Sequence, residues 1–126
     1  MRLQFTNMLD IIEWRLSKTG VKTVKLLGSM PLSMRLAMLT AFKTDPNVHA
    51  ILLSLKAGGE GLNLQHASRV FLMDPWWNPA VEHQAIQRAH RIGQTREVHA
   101  VRFVTAGTIE ERMMQLQVRS AIRRHR

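Results

Sequence analysis

The chain has 126 residues, room for one domain with its own core and too little for several. Its apolar share of 45 % argues against disorder, no apolar run reaches the length of a membrane span, and no secretory leader follows Met1. Eighteen Lys and Arg stand against nine Asp and Glu, a net charge of +9 that favours polyanionic partners. The absence of cysteine excludes disulfide frameworks, thiolate zinc sites and cysteine nucleophiles, and fits an intracellular setting.

The first element is predicted as a helix over residues 5–20. Met8, Ile11, Ile12 and Leu16 repeat at helical spacing, and Gly20 is its stop. A strand follows over 21–27. Residues 32–45 read as a second helix with Ser33 as N-cap. "VHAILLSL", from Val48, is nearly all apolar, as a strand covered on both faces would be. "KAGGEGLNL", 56–64, is a glycine-rich turn, and "RVFLMD", 69–74, another buried strand. A helix is predicted over 79–91, with Asn78 as N-cap and Pro79 at the first helical position. A strand over 98–105 and a helix over 108–122, capped near Thr108, complete the order. The alternation of strands and helices predicts an α/β fold, a mostly parallel sheet with helices on both faces.

In such sheets ligands bind beyond the carboxyl ends of the strands. Those ends lead here into "KAGGEGLNL" and "DPWWNP", so function is expected at Lys56–Asn63 and Asp74–Arg91. On the helix after Asn78, Val81, Ala85, Ala89 and Ile92 share a face suited to packing on the sheet. Gln84, Arg88 and Arg91 fall at i, i+4 and i+7 on an adjacent face. Two guanidiniums so placed suit a phosphate chain, since each donates paired hydrogen bonds to oxygen; a solvated basic face has the same pattern. Trp76 and Trp77 are bracketed by two Xaa-Pro turns, which projects a ring for stacking on a base or packs it at the core edge. "AGGEGLNL" is a phosphate cradle or a tight turn, and it lacks the Lys-Ser/Thr of a phosphate-binding loop. Ser54 and Lys56, just before it, are placed to meet nucleic-acid phosphates. His83 and His90 share a helix face without an evident third ligand, so no metal site is assigned.

"SLKAGGEGLNLQHASRVFLMDPWWNPAVEHQAIQRAHRIGQTREV" resembles the signature region of the second ATPase lobe of Swi/Snf-like superfamily-two helicases. The Gly-Gly-x-Gly-Leu-Asn turn, the Trp-Asn-Pro turn and Gln-x-x-x-Arg-x-His-Arg-Ile-Gly-Gln occur in order at family spacing. "DPWWNPAVE" and "TIEERMMQLQ" lean toward the branch of the Rad five and Rad sixteen DNA-repair proteins. The resemblance implies a RecA-like lobe over 4–117 with a basic tail over 118–126. It implies ATP as cofactor, with Mg2+ held by a first RecA-like lobe that this chain lacks, and double-stranded DNA as track. Chromatin or repair proteins are implied as further partners, in the nucleus.

By the same resemblance Arg88 and Arg91 are arginine fingers, with Gln84 supporting them. Gly59, Gly61 and Asn63 lie by the nucleotide, near its ribose. Ser54, Lys56 and Trp77 touch DNA. Two stretches depart from the family. "MRLQF" keeps only Gln4 and Phe5 of a full first strand, which is expected to be missing or shortened, and "VRSAIRRHR" replaces the usual continuation. Two functions follow as expectations: one lobe of an ATP-dependent DNA translocase, unable to hydrolyse ATP alone, or a truncated DNA-binding or motor-interfering module.

Overall fold

The computed structural model describes residues 4–54, 57, 61–74 and 78–124. The chain divides into two compact units, one up to Glu60 and one from Gly61. The first holds α1 (Gln4–Lys18), β1 (Lys22–Leu26), α2 (Leu32–Thr44) and β2 (Val48–Leu53). The second holds β3 (Arg69–Leu72), α3 (Pro79–Ala89), β4 (His99–Arg102) and α4 (Ile109–Arg124).

In the first unit β1 and β2 pair in parallel, from Lys22 opposite Val48 to Leu26 opposite Leu53, with α2 as the crossover. Both helices pack on this pair. Leu26 is fully buried and Val48 nearly so. Lys25, one residue before Leu26, points the other way and ties the strand to α1 through ion pairs with Asp10 and Glu13. Those two carboxylates hold the Lys25 ammonium above its ordinary pKa. The predicted cap of α2 shifts. The helix begins at Leu32 with Pro31 in the cap position and no side-chain cap, so Ser33 lies inside the first turn. Pro31, at φ −57° and ψ 151°, is already extended, and its carbonyl accepts from Arg35 N at 3.1 Å, which starts the helix before Ser33.

In the second unit β3 and β4 also pair in parallel, Arg69 opposite His99 through Leu72 opposite Arg102. The helix α3 is the crossover and packs on β3. Parallel pairing with helical crossovers in both units is the α/β pattern expected from the sequence. β3 is not uniformly buried, however. Leu72 is buried, while Phe71 and Met73 are exposed. Successive strand side chains alternate sides, so Leu72 takes the buried side and Phe71 the open one. There Phe71 meets Phe103 at 6.2 Å between ring centres. The Asn78 side chain caps α3 by accepting from Ala80 N at 3.1 Å, with Pro79 at the first position, as read from the sequence. Helix α4 is capped by Thr108 Oγ1, which accepts from Glu110 N, and Glu110 and Glu111 reach back to the amides of Thr105 and Gly107. Acids in the first turn also suit the helix dipole. No described helix is long and apolar enough to cross a membrane.

Candidate functional site

The predicted helix 79–91 ends early. Ala89 is its last residue and His90, at φ −84° and ψ 85°, is the C-cap. Arg91 therefore lies outside the helix, and Ile92 is almost wholly exposed rather than packed on the sheet. The cause is a competing set of partners for the last carbonyls, which a helix end leaves unpaired. Leu64 N donates to Arg88 O at 3.1 Å. Gln94 Nε2 reaches Ala89 O at 3.4 Å, and also donates to Gln65 O at 2.8 Å and Ala67 O at 2.9 Å. Gln65 Nε2 donates to Ile92 O. The loop after Gly61 thus closes the helix that carries Arg88.

Ending the helix does not scatter the predicted residues. Gln84, Arg88 and Arg91 line one open depression of about 600 Å³, together with Gln87, His90 and Ile92. Gln84 and Arg88 approach it from the helix and Arg91 from the turn beyond. None of the ion pairs among the described residues involves Arg88 or Arg91. Arg88 Nε is buried without a hydrogen-bond partner among the described residues. Arg102 Nε is buried in the same way on a guanidinium already bound to Glu82, so this feature marks a tightly packed stem and gains meaning at Arg88 only from the depression beside it. Two guanidiniums with no ion pair among the described residues, on one concavity, fit an anion with several oxygens, such as a nucleotide phosphate chain.

The wall of α3 away from these arginines is fixed differently. Glu82, at 1 % exposure, is bound by Arg102 of β4, whose other terminal nitrogen lies 3.2 Å from Met114 Sδ. Glu82 therefore anchors α3 to the sheet and is no part of the depression.

Gly61 and Asn63 sit on the loop that closes the helix. Gly61 has φ 67°, which glycine adopts without strain, and no described residue lies within 4 Å of where a Cβ would stand. Asn63 Oδ1 accepts from Gln65 N at 3.2 Å, and its amide donates to Gln65 Oε1 at 3.4 Å. Ser54 follows β2 in the first unit, and its hydroxyl oxygen accepts from Ala57 N at 3.2 Å. Lys56, Gly59 and Trp77 lie outside the described residues. His83 and His90 are exposed, and no three metal-binding side chains converge among the described residues. Asp74, before the double tryptophan, has its carboxyl raised above the ordinary value by burial and secondarily by Glu110.

Sequence reasoning passed over Gln65 and Gln94. Gln94 lay inside the quoted "HRIGQ" string, but its partners are up to 29 residues away and no local pattern announces them.

Comparisons with known proteins identify the domain. Residues 2–93 match the helicase conserved C-terminal domain model. The chain is 50 % identical over 118 residues to the ATP-dependent helicase rhp16 of Schizosaccharomyces pombe, covering 94 % of this chain and 14 % of that protein. It is 49 % identical over 116 residues to the DNA repair protein RAD5A of Arabidopsis thaliana, covering 92 % of the chain and 11 % of the relative. Among solved structures, the C-terminal part of the Fun30 ATPase domain superposes with a TM-score of 0.86 at 41 % identity, over 89 % of this chain and 36 % of that one. The Sulfolobus solfataricus SWI2/SNF2 ATPase core domain gives a TM-score of 0.74 at 36 % identity, over 91 % of this chain and 23 % of that one. The chain thus spans about a seventh or less of these two curated relatives. With its α/β elements and these matches, the chain belongs to the helicase conserved C-terminal domain family, as the carboxyl-terminal lobe of the SWI2/SNF2 type.

Proposed function

We propose that this lobe serves an ATP-driven motor on double-stranded DNA, in which Arg88 and Arg91 receive the phosphates of an ATP presented by a first RecA-like lobe. The observation that carries the reading is their arrangement. Both line one open depression, neither joins an ion pair among the described residues, and Arg88 Nε is buried without a partner there. Phosphoryl transfer spreads negative charge over equatorial oxygens, and guanidiniums placed against those oxygens stabilise it. Gln84, on the same depression, supports the site: its carboxamide oxygen accepts from a guanidinium, or its nitrogen donates to a phosphate oxygen. Gly59, Gly61 and Asn63 border the ribose, an assignment supported by the family spacing. Mg2+ and the attacking water belong to the first lobe.

Ser54 and Lys56 hold the DNA backbone in this reading, and Trp77 packs on it. The relatives bear the names of an ATP-dependent helicase and a DNA repair protein, which supports repair or chromatin partners and a nuclear location for this chain.

The test places this chain in the full-length Schizosaccharomyces pombe helicase, in exchange for its matching segment. DNA-stimulated hydrolysis should survive the exchange. Arg91→Ala in the exchanged protein should then lower kcat by about a thousandfold, the lower end of what an arginine finger supplies, with duplex binding changed less than about twofold. Unchanged turnover in Arg91→Ala overturns the assignment.

A further inference from the structure

We propose that Gln94 and Gln65 form a positioning clamp that sets the two arginines and links them to the Gly61–Asn63 turn; this rests on the arginine reading above. Both ends of the Gln94 carboxamide are used. Its nitrogen donates to Gln65 O and Ala67 O and reaches Ala89 O, while its oxygen accepts from Arg96 N at 3.1 Å. Arg96 in turn donates to His66 O at 2.6 Å. With Leu64 N on Arg88 O and Gln65 Nε2 on Ile92 O, the backbone is gripped at Arg88, at Ala89 and at Ile92, on both sides of Arg91.

This grip has a chemical consequence. Arginine carries a long, flexible stem, and holding its backbone removes part of the freedom that ordering it at a phosphate would otherwise cost. It also fixes where Arg91 leaves the helix. Were α3 to continue through Arg91, the carbonyl of Arg88 would turn to Ile92 N and release Leu64 N from it. The Asn63 side chain bonds to Gln65, whose amide holds Ile92 O. A shift of the turn at Asn63 therefore pulls on the residue next to Arg91. The clamp carries a bound nucleotide's pull on Asn63 to the arginine that answers its phosphates. Gln65 and Gln94 touch no phosphate in this scheme. They act through Arg88 and Arg91.

The test uses the same exchanged helicase and two readouts. Without nucleotide, amide hydrogen exchange over residues 64–67 should quicken at least tenfold in Gln94→Ala, because the carbonyls of Gln65 and Ala67 lose the donor that holds this loop, and with it Leu64 N, against the helix end. In single-turnover hydrolysis with duplex DNA, Gln94→Ala should lower kcat about tenfold while KM for ATP moves less than twofold, as misplacement of a transition-state group does. Gln94→Glu, isosteric but without a donor for the three carbonyls, should behave as Gln94→Ala. Gln65→Ala, which leaves Gln94 in place, should give a smaller loss of the same kind. A double-mutant cycle separates position from mere stability. On an Arg91→Ala background Gln94→Ala should cost less than it does in the parent, since one of the two groups it positions is gone. Losses that multiply, or an unchanged kcat in Gln94→Ala with a lowered one in Arg91→Ala, overturn the clamp. An unchanged kcat in Arg91→Ala alone instead removes the arginine reading on which the clamp rests.

Discussion

Asp74 and Asp45 respond to pH with opposite signs. Burial, and then the charge of Glu110, raises the Asp74 carboxyl above its ordinary 3.8. The folded state therefore binds the proton more tightly than the unfolded state. The stabilisation is fully present below 3.8 and is lost as pH rises through the folded value. Asp74→Asn should accordingly raise the thermal midpoint at pH 7 and leave it unchanged near pH 3, read by circular dichroism at the two pH values. Asp45 is the reverse case. The amide of Asn47, followed by Lys22, lowers its carboxyl, so its contribution is present above 3.8 and lost as pH falls through the folded value. Glu82 is a different kind of residue. Arg102 compensates a charge that is almost wholly out of water. Arg102→Met keeps the bulk and removes the guanidinium bound to that charge, and should cost up to about 3 kcal/mol in denaturant unfolding, the range for breaking a buried pair. Neither Glu82 nor Gln94 was legible in the sequence. Helical spacing assigns a charged side chain to solvent and an amide to a turn, and the partners that reverse both assignments are distant in sequence: Arg102 lies 20 residues from Glu82, and Ala67 lies 27 from Gln94.

At the scale of elements, starts were more legible than ends. Asn78-Pro79 announces the beginning of α3 because a cap and its helix are neighbours in sequence. Its end is set by Leu64, Gln65 and Gln94 from outside the helix, so the spacing that put Ile92 on the sheet ran past the true boundary. The shape of that end depends on Gly93. Its φ is 99°, and a Cβ there would stand 3.3 Å from the Gln65 amide nitrogen. That amide cannot step aside without releasing Ile92 O. Gly61 also has a positive φ, 67°, but no described residue within 4 Å of its Cβ position. Gly61→Ala should therefore cost about 1 kcal/mol, from backbone conformation alone. Gly93→Ala carries the same conformational cost and displaces Gln65 as well, so its loss should be about twice as large. Thermal melts of the two variants make the comparison. Equal losses would show that the close approach to Gln65 contributes nothing.

For the molecule as a whole, the alternation of elements gave the α/β class and the quoted motifs gave the family, because both are properties of sequence order. The grouping of Gln84, Arg88 and Arg91 was legible as a set, though not the turn through which Arg91 joins it. Charge also belongs to this scale. A net +9 on 126 residues favours any polyanion, so binding to DNA by itself says little about a translocation track. Salt dependence separates the general attraction from the assigned contacts. Each phosphate neutralised by a cation releases condensed counterions, and log K falls with log salt at about 0.9 per contact. Lys56→Ala should make that slope shallower by about 1, whatever the DNA sequence. A tryptophan ring releases no counterion when it stacks or packs. Trp77→Ala should therefore weaken duplex binding by about tenfold, in the range of one stacking contact, with the slope unchanged. Fluorescence anisotropy on a labelled duplex, repeated across a salt series, reads both quantities. A parallel, weaker line for Trp77→Ala beside a shallower one for Lys56→Ala would assign the two residues their separate roles. If both variants matched the parent line, the charge would be acting as a diffuse field, and neither residue would belong to a DNA track.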